Sequence, residues 1–212
     1  PMNPGDISPV TILVAAIFTN NILLSHYLGM CSFIALSRRL DTAVGMGLAV
    51  TFVSTFTTAL NWVIYHRVLA RGALSWLPGG LGDRVQLEIF ALIVFIAVIA
   101  AFVQVVEMIL ERFSPAMHQA LGLFLPLITV NCAILGVALF MVIRGYGFFQ
   151  AVAYGFGSGL GWLLAVLLMA GLRRRLRFST VPRGLEGVGI TLIVTGIMAM
   201  AFMAFAGMVR IQ

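Results

Sequence analysis

Two long apolar segments decide the fold, residues 10–36 (VTILVAAIFTNNILLSHYLGMCSFIAL) and residues 117–142 (MHQALGLFLPLITVNCAILGVALFMV). Both exceed the length of about 20 residues with which an upright helix crosses a hydrocarbon layer. Both contain glycine, which loosens a helix, and the second contains proline, which removes a backbone donor. The residues concerned are Gly29, Gly122, Pro126 and Gly136. We therefore predict that each segment crosses a membrane as two half-helices that meet near the midplane.

The composition is that of an integral membrane protein. Hydrophobic residues make up 61% of the chain and charged residues 9%, whereas about a quarter of the residues of a soluble domain are charged. The 13 basic residues are all arginine and lie in short clusters between apolar runs, where they can anchor loops at a lipid surface. We expect membrane lipid as a partner and no nucleic acid.

Six apolar segments are long enough to cross a bilayer, so the predicted fold class is all-α, with a single membrane domain over residues 1–212. The predicted spans are residues 10–36, 43–65, 87–110, 117–142, 149–171 and 188–208.

The distribution of arginine predicts the orientation, because basic residues are retained on the cytoplasmic side. Eight arginines lie in the first, third and fifth connectors and five on the other face, so both termini are predicted outside. The eight are Arg38, Arg39, Arg112, Arg173, Arg174, Arg175, Arg177 and Arg183, and the five are Arg67, Arg71, Arg84, Arg144 and Arg210.

The two halves of the chain look like an inverted repeat. When Cys31 is placed on Cys132, the spans that follow come nearly into register, and three spans in each half force the second half to enter the membrane upside down. The predicted repeats cover about residues 8–113 and 115–212. Inverted repeats with broken helices hold their binding sites near the midplane.

Cys31 and Cys132 are the two cysteines of the chain, and each falls inside a predicted broken span. A disulfide is not expected there, because disulfides form in oxidising extramembrane regions. Each thiol can be a small buried hydrophobe, or the two can converge as ligands of one metal centre. Iron–sulfur clusters normally take four protein ligands, so a complete site would need a second chain with its own pair.

Glu107 is an acid inside the third predicted span, on one helical face with Gln104 and Glu111. Carboxylates within a membrane indicate cation or proton handling. Glu107 is also about one turn from the predicted cytoplasmic end, so a role at the water interface stays open. His26 lies five residues before Cys31, off its helical face, and we interpret it as a packed imidazole rather than a ligand.

Three strings carry a family resemblance: residues 27–33 (YLGMCSF), residues 122–133 (GLFLPLITVNCA) and residues 154–159 (YGFGSG), the last followed by Gly161-Trp162. They resemble the E subunits of Na+-translocating NADH:quinone oxidoreductases, the Nqr complexes, in a superfamily that joins the D and E subunits of Nqr to the A and E subunits of the Rnf complexes. Asn20-Asn21 is closer to the Rnf form, which leaves the A subunit of an Rnf ferredoxin:NAD oxidoreductase as the alternative.

The resemblance implies a partner and cofactors. In this family the E subunit pairs with a homologous D subunit of opposite topology, and two cysteines from each hold an intramembrane [2Fe-2S] cluster. Cys31 and Cys132 match those ligand positions. Other subunits are an NADH-oxidising flavoprotein and further flavin-bearing subunits, which between them carry FAD, FMN and riboflavin. Quinone reduction drives sodium export, and Glu107 matches an acid thought to assist sodium movement. The resemblance also implies the bacterial inner membrane, where the predicted outer termini would be periplasmic.

Three functions are compatible with the sequence. The first is an electron-relay subunit of a redox-driven cation pump, without turnover of its own. The second is a small secondary transporter in which the cysteines are incidental. The third is a purely structural subunit.

Overall fold

The computed structural model describes residues 8–69, 90–113, 125–176, 178, 182 and 184–207. In this part of the chain the regular elements are all helical, in agreement with the predicted class. The helices are α1 (Pro9–Ile17), α2 (Ile22–His26), α3 (Met30–Leu36), α4 (Leu40–Ile64), α5 (Ala91–Phe113), α6 (Leu125–Thr129), α7 (Cys132–Ile143), α8 (Phe148–Leu176) and α9 (Val188–Met203). A π turn, Tyr65–Leu69, extends α4, and a 3-10 turn, Ala204–Gly207, follows α9.

The first predicted span is broken twice rather than once. Asn21 separates α1 from α2, and its side-chain oxygen caps α2 by accepting the amides of Leu23 and Leu24. The second break lies between α2 and α3, where Tyr27 and Gly29 have φ angles of 55° and 85°. Gly29 is thus confirmed as a helix breaker, because its left-handed backbone cannot continue the helix.

The fourth predicted span is broken between α6 and α7, at residues 130 and 131. The prediction that Gly136 interrupts it is wrong. Pro126 lies within the described part of α6, which begins at Leu125 beside residues outside the described ranges, and not at the break itself. Gly136 lies inside α7, where a Cβ would come within 3.0 Å of a Leu28 methyl group, so its small size admits a neighbour instead of ending the helix. Gly122 lies outside the described residues.

Four described segments are long and apolar enough to cross a membrane: Leu40–Leu69, Ala91–Ile109, Pro126–Ile143 and Phe148–Leu176. They correspond to the second, third, fourth and fifth predicted spans. Helix α9, in the place of the sixth, is a shorter apolar helix of 16 residues. The full set of six spans, its division into inverted repeats and the single domain stay predictions.

Helix α8 is the centre of the structure. One side packs against α4, where the Ser54 hydroxyl donates to the Gly155 carbonyl at 3.0 Å. The other side packs against α1 and the first break, where the Asn21 amide donates to the Gly161 carbonyl at 2.7 Å. Apolar side chains gain little by leaving lipid for a protein interior, so close backbone approach and hydrogen bonds hold such helices together.

Glycine in α8 makes this approach close. A Cβ on Gly159 would lie 2.6 Å from the Thr51 Cα, and one on Gly157 would lie 2.8 Å from the Leu13 carbonyl oxygen. The obstructing atoms are backbone, so they can move only if the helices separate. Helix α5 lies at the edge: it buries Phe95, Ile99 and Val103 and exposes a row of apolar side chains, among them Leu92, Ile93 and Ile96.

We predict that Gly159→Ala destabilises the protein by about 1–3 kcal/mol, the usual cost of overpacking, because α4 must move away from α8. Gly171→Ala is the matched control on the same helix, since its Cβ would meet nothing within 4 Å. Alanine favours the helix there by about 0.5–1 kcal/mol. Denaturation of the purified protein, followed by far-UV circular dichroism, measures both changes. Equal stability of the two variants would contradict the proposed packing.

Candidate metal centre

The two helix breaks that carry the cysteines lie against each other. The backbone N–H of Gly29, in the α2–α3 break, donates to the Cys132 Sγ at the start of α7, with an N to Sγ distance of 2.9 Å. Cys31 follows Gly29 by two residues, so the Cα atoms of Gly29 and Cys31 are at most about 7 Å apart. Residues separated by about a hundred positions in the sequence therefore share one small region.

Each cysteine stands at the beginning of a half-helix. Cys132 is the first residue of α7 and Cys31 the second residue of α3. The first amides of a helix have no partner within it, and in α7 the Ala133 amide is satisfied by the Asn131 side chain. Cys31 is exposed and Cys132 is half-buried, and both are free thiols. Cys31 is therefore open to a neighbouring chain, whereas Cys132 is partly covered by its own chain.

A second connection joins the breaks through buried side chains. The Asn131 oxygen caps α7 by accepting the Ala133 amide at 3.0 Å, and the Asn131 nitrogen donates to the Ser32 hydroxyl at 3.3 Å. The Ser32 hydroxyl in turn donates to the Gly29 carbonyl at 3.1 Å. Asn131 and Ser32 therefore hold the Gly29 carbonyl, while Cys132 accepts the N–H of the same residue.

Trp162 of α8 packs behind this arrangement. Its side chain is fully buried, and a Cβ on Gly29 would lie 2.6 Å from the Trp162 Nε1 and 3.0 Å from the Ala133 Cβ. The indole N–H has no hydrogen-bond partner within the described ranges. Position 29 therefore requires glycine for two reasons: its φ angle is positive, and the Trp162 ring leaves no room for a Cβ.

The sulfur donors of this region are the two cysteine thiols. His26, the other candidate near Cys31, packs its ring 4.7 Å from the Phe140 ring. Among the residues that the structure describes, no group of three or more His, Cys, Asp or Glu side chains could hold a metal ion. The described chain thus offers two sulfur ligands, and a four-ligand centre would need the remainder from a second chain.

Glu107 is not connected to the cysteines by a hydrogen bond or ion pair in the described part of the chain. It is half-buried on α5, which packs against α4, α6 and α7, while Gln104 and Glu111 are exposed. The structure thus places the acid on a different helix from the sulfur site.

Sequence reasoning identified the two cysteines but not Ser32, Asn131 and Trp162 as their supports. A signal was present for the first two, since each is a polar residue beside a cysteine in an apolar segment, where polar side chains are costly unless paired. Trp162 carried no such signal, because it reaches the site only through the packing of α8.

Comparison with known proteins gives consistent matches. A family model for the Rnf-Nqr subunits, described as membrane protein, matches residues 9–209. The E subunit of the Na(+)-translocating NADH-quinone reductase of Methylococcus capsulatus is 53% identical over 198 residues, 93% of this chain and 96% of the relative. The protein of the same name from Hahella chejuensis is 50% identical over the same shares. That of Nitrosomonas europaea is 50% identical over 92% of this chain and 96% of its own length.

We predict that Gly29→Ala disrupts the contact between the two breaks, because the new methyl group meets Trp162 and the positive φ disfavours alanine. Two controls separate these causes. Gly145→Ala places alanine at a position with a positive φ but with no atom near the new methyl group. Gly45→Ala places it where φ is not positive and where no atom lies near the methyl group.

The measurement is the rate at which a maleimide reagent labels Cys132 in the purified protein. We expect Gly29→Ala to increase this rate, while Gly45→Ala leaves it at the wild-type value. Gly145→Ala should lower the melting temperature without changing the labelling. If all three variants label like the wild type, Gly29 does not hold Cys132.

Proposed function

The chain belongs to the Rnf-Nqr family of membrane protein subunits, and from this premise we propose that it is the E-type subunit of a Na+-translocating NADH-quinone reductase. In this role it has no turnover of its own and contributes to an electron path through the membrane. The relatives that share about half of its residues over nearly their whole length bear the name of this subunit. Their naming favours the Nqr complex over the A subunit of an Rnf complex.

Cys31 and Cys132 are the residues that would hold a [2Fe-2S] cluster, with two further ligands from a homologous D subunit. The single observation that carries this proposal is the hydrogen bond from the Gly29 amide to the Cys132 Sγ, because it brings the two cysteine segments together. When bound, such a cluster supplies one-electron transfer. Cys31 is exposed, which suits a ligand shared with a neighbouring chain.

The residues around the cysteines would support a bound metal centre, because hydrogen bonds to ligand atoms tune such a centre. The Gly29 N–H is a donor of this kind, and Asn131 and Ser32 hold the Gly29 carbonyl on the other side of the same residue.

The same proposal includes the surroundings of the chain. The second ligand pair comes from the D subunit in the opposite orientation, in the bacterial inner membrane, with both termini of this chain periplasmic. The NADH-oxidising flavoprotein and the flavin-bearing subunits complete the electron path. Support comes from the hydrogen bond that joins the two cysteine segments and from the names of the relatives.

A secondary transporter with incidental cysteines, or a purely structural subunit, is less well supported. A thiol that only fills space should be buried, yet Cys31 is exposed and Cys132 accepts a hydrogen bond. These properties are those of a sulfur atom available for bonding.

We predict that Cys31→Ala or Cys132→Ala lowers the iron and acid-labile sulfide of the protein purified with its natural partners by the content of one [2Fe-2S] cluster, and removes that cluster's share of the visible absorption, since three ligands do not complete the site. Val130→Ala is the matched control, because Val130 is exposed and lies two residues before Cys132. Full iron content with unchanged quinone reduction in both cysteine variants would exclude the relay function.

We propose a cation-handling role for Glu107. It is half-buried in an apolar helix and makes no ion pair with another described residue. Placing an ionisable side chain within a membrane span costs free energy, so its presence there indicates a functional role. A partly desolvated carboxylate without a basic partner among the described residues attracts a small cation, and the complexes of the named relatives translocate sodium.

We predict that Glu107→Gln raises the Na+ concentration needed for half-maximal quinone reduction by about tenfold, because a neutral amide attracts the cation less than a carboxylate. Glu111→Gln removes the same charge at an exposed position of the same helix and serves as the control. Iron content is measured in both variants, so that a lost cluster is not mistaken for a lost cation site. The same Na+ dependence in both variants would assign Glu107 to the water interface.

A further inference from the structure

One end of the structure brings together two arginine-rich segments. The turn between α3 and α4 contains Arg38 and Arg39, and the last turn of α8 contains Arg173, Arg174 and Arg175. Arg173 joins the segments: its guanidinium donates to the Ile34 carbonyl at 3.1 Å and to the Ser37 hydroxyl at 2.8 Å. These hydrogen bonds give Arg173 a structural role, because they hold the end of α8 against the end of α3. Arg174 and Arg175, which follow it in α8, are therefore held next to the α3–α4 turn.

Two cavities open at this end. The smaller one, about 300 Å³, is lined by Arg38, Arg39, Leu40, Asp41, Ala170 and Arg174. The larger one, about 570 Å³, is lined by Gly171, Arg174, Arg175 and Phe178. Arg174 lines both, so the cavities lie on either side of this residue. Pockets of this size accept ligands as large as a lipid headgroup.

The charge of these walls is strongly positive. Among the described residues, the lining of the two cavities contains four arginines and one acidic residue, Asp41. Arg38, Arg39, Arg174 and Arg175 make no hydrogen bond or ion pair within the described chain. Guanidinium groups bind phosphate through paired N–H donors, so the two cavities offer donors for two phosphate groups on either side of Arg174.

The walls also continue into an apolar surface. Leu40 of the smaller cavity begins a row on one face of α4, four residues apart, that continues through the exposed side chains Val44, Leu48 and Phe52. At the larger cavity Phe178 is 91% exposed. A free anion would not need such a surface, whereas acyl chains below a headgroup would lie along it.

We propose that these two cavities form a binding site for an anionic phospholipid whose headgroup carries two phosphate groups. One phosphate lies in each cavity, Arg174 lies between the two, and the acyl chains follow the Leu40–Phe52 face of α4. Basic pockets at the end of membrane helices bind such headgroups. The site is separate from the cysteines and extends beyond the proposed electron relay.

The test uses the intact complex, freed of lipid in detergent, and a fluorescent cardiolipin as the probe. We expect Arg174→Gln to weaken cardiolipin binding by about tenfold, since it removes a charged hydrogen-bond donor from both cavities. Arg39→Gln changes the smaller cavity without touching α8 and should weaken binding by a smaller factor. Arg67→Gln is the charge-matched control, because Arg67 is exposed in the π turn at the opposite end of α4.

Displacement of the probe by competing ligands, and the subunit composition of the purified variants, distinguish the possible occupants of the cavities. Unlabelled cardiolipin should displace the probe, whereas phosphatidylcholine and inorganic phosphate at the same concentration should not. Wild-type affinity in both Arg174→Gln and Arg39→Gln would overturn the proposal. Displacement by inorganic phosphate alone would show a simple anion site and overturn the lipid assignment. Loss of a neighbouring protein chain from Arg174→Gln with unchanged cardiolipin binding would show that the cavities bind protein, and would overturn it as well.

Discussion

The structure depends on one constraint: where a helix is interrupted inside an apolar layer, the backbone groups that it releases must find partners within the protein, because lipid offers none. Asn21 and Asn131 meet this requirement by accepting amides of the helices that follow them. At Gly29 the acceptor is the sulfur of Cys132. The contact that satisfies this backbone group therefore also places Cys132 beside the segment of Cys31, so the architecture of the broken helices and the position of the thiols have the same physical cause.

Helix α8 makes this arrangement rigid. Its glycines let α4 and α1 approach closely enough for direct hydrogen bonds between side chains and carbonyl groups, such as that from Asn21 to Gly161. Trp162 then extends from the same helix to the Gly29 peptide. At its other end, Arg173 ties α8 to the end of α3. One helix thus supports both the sulfur site and the arginine-lined cavities, which keeps these two regions in a constant relation to each other.

The hydropathy of the chain predicted the helical class and most spans, because the length of an apolar run depends only on the chain itself. The causes of the breaks were predicted less well. The prediction that Gly29 breaks its helix was correct, since a positive φ is a local property of the backbone. The prediction for Gly136 was wrong, because this glycine lies inside α7 and admits Leu28 from another segment. The same residue type can end a helix or admit a neighbour, and local sequence does not distinguish the two.

The sequence by itself determined that the chain is a helical membrane protein, that its two thiols lie within apolar segments and that its arginines lie between such segments. These properties follow from composition and spacing, which need no contacts. Only the tertiary structure decided that the Gly29 amide faces Cys132, that Asn131 reaches Ser32 and that Arg38, Arg39 and Arg174 border one cavity. Each of these arrangements brings together residues about a hundred or more positions apart, which depends on how the helices pack and not on any local preference of the chain.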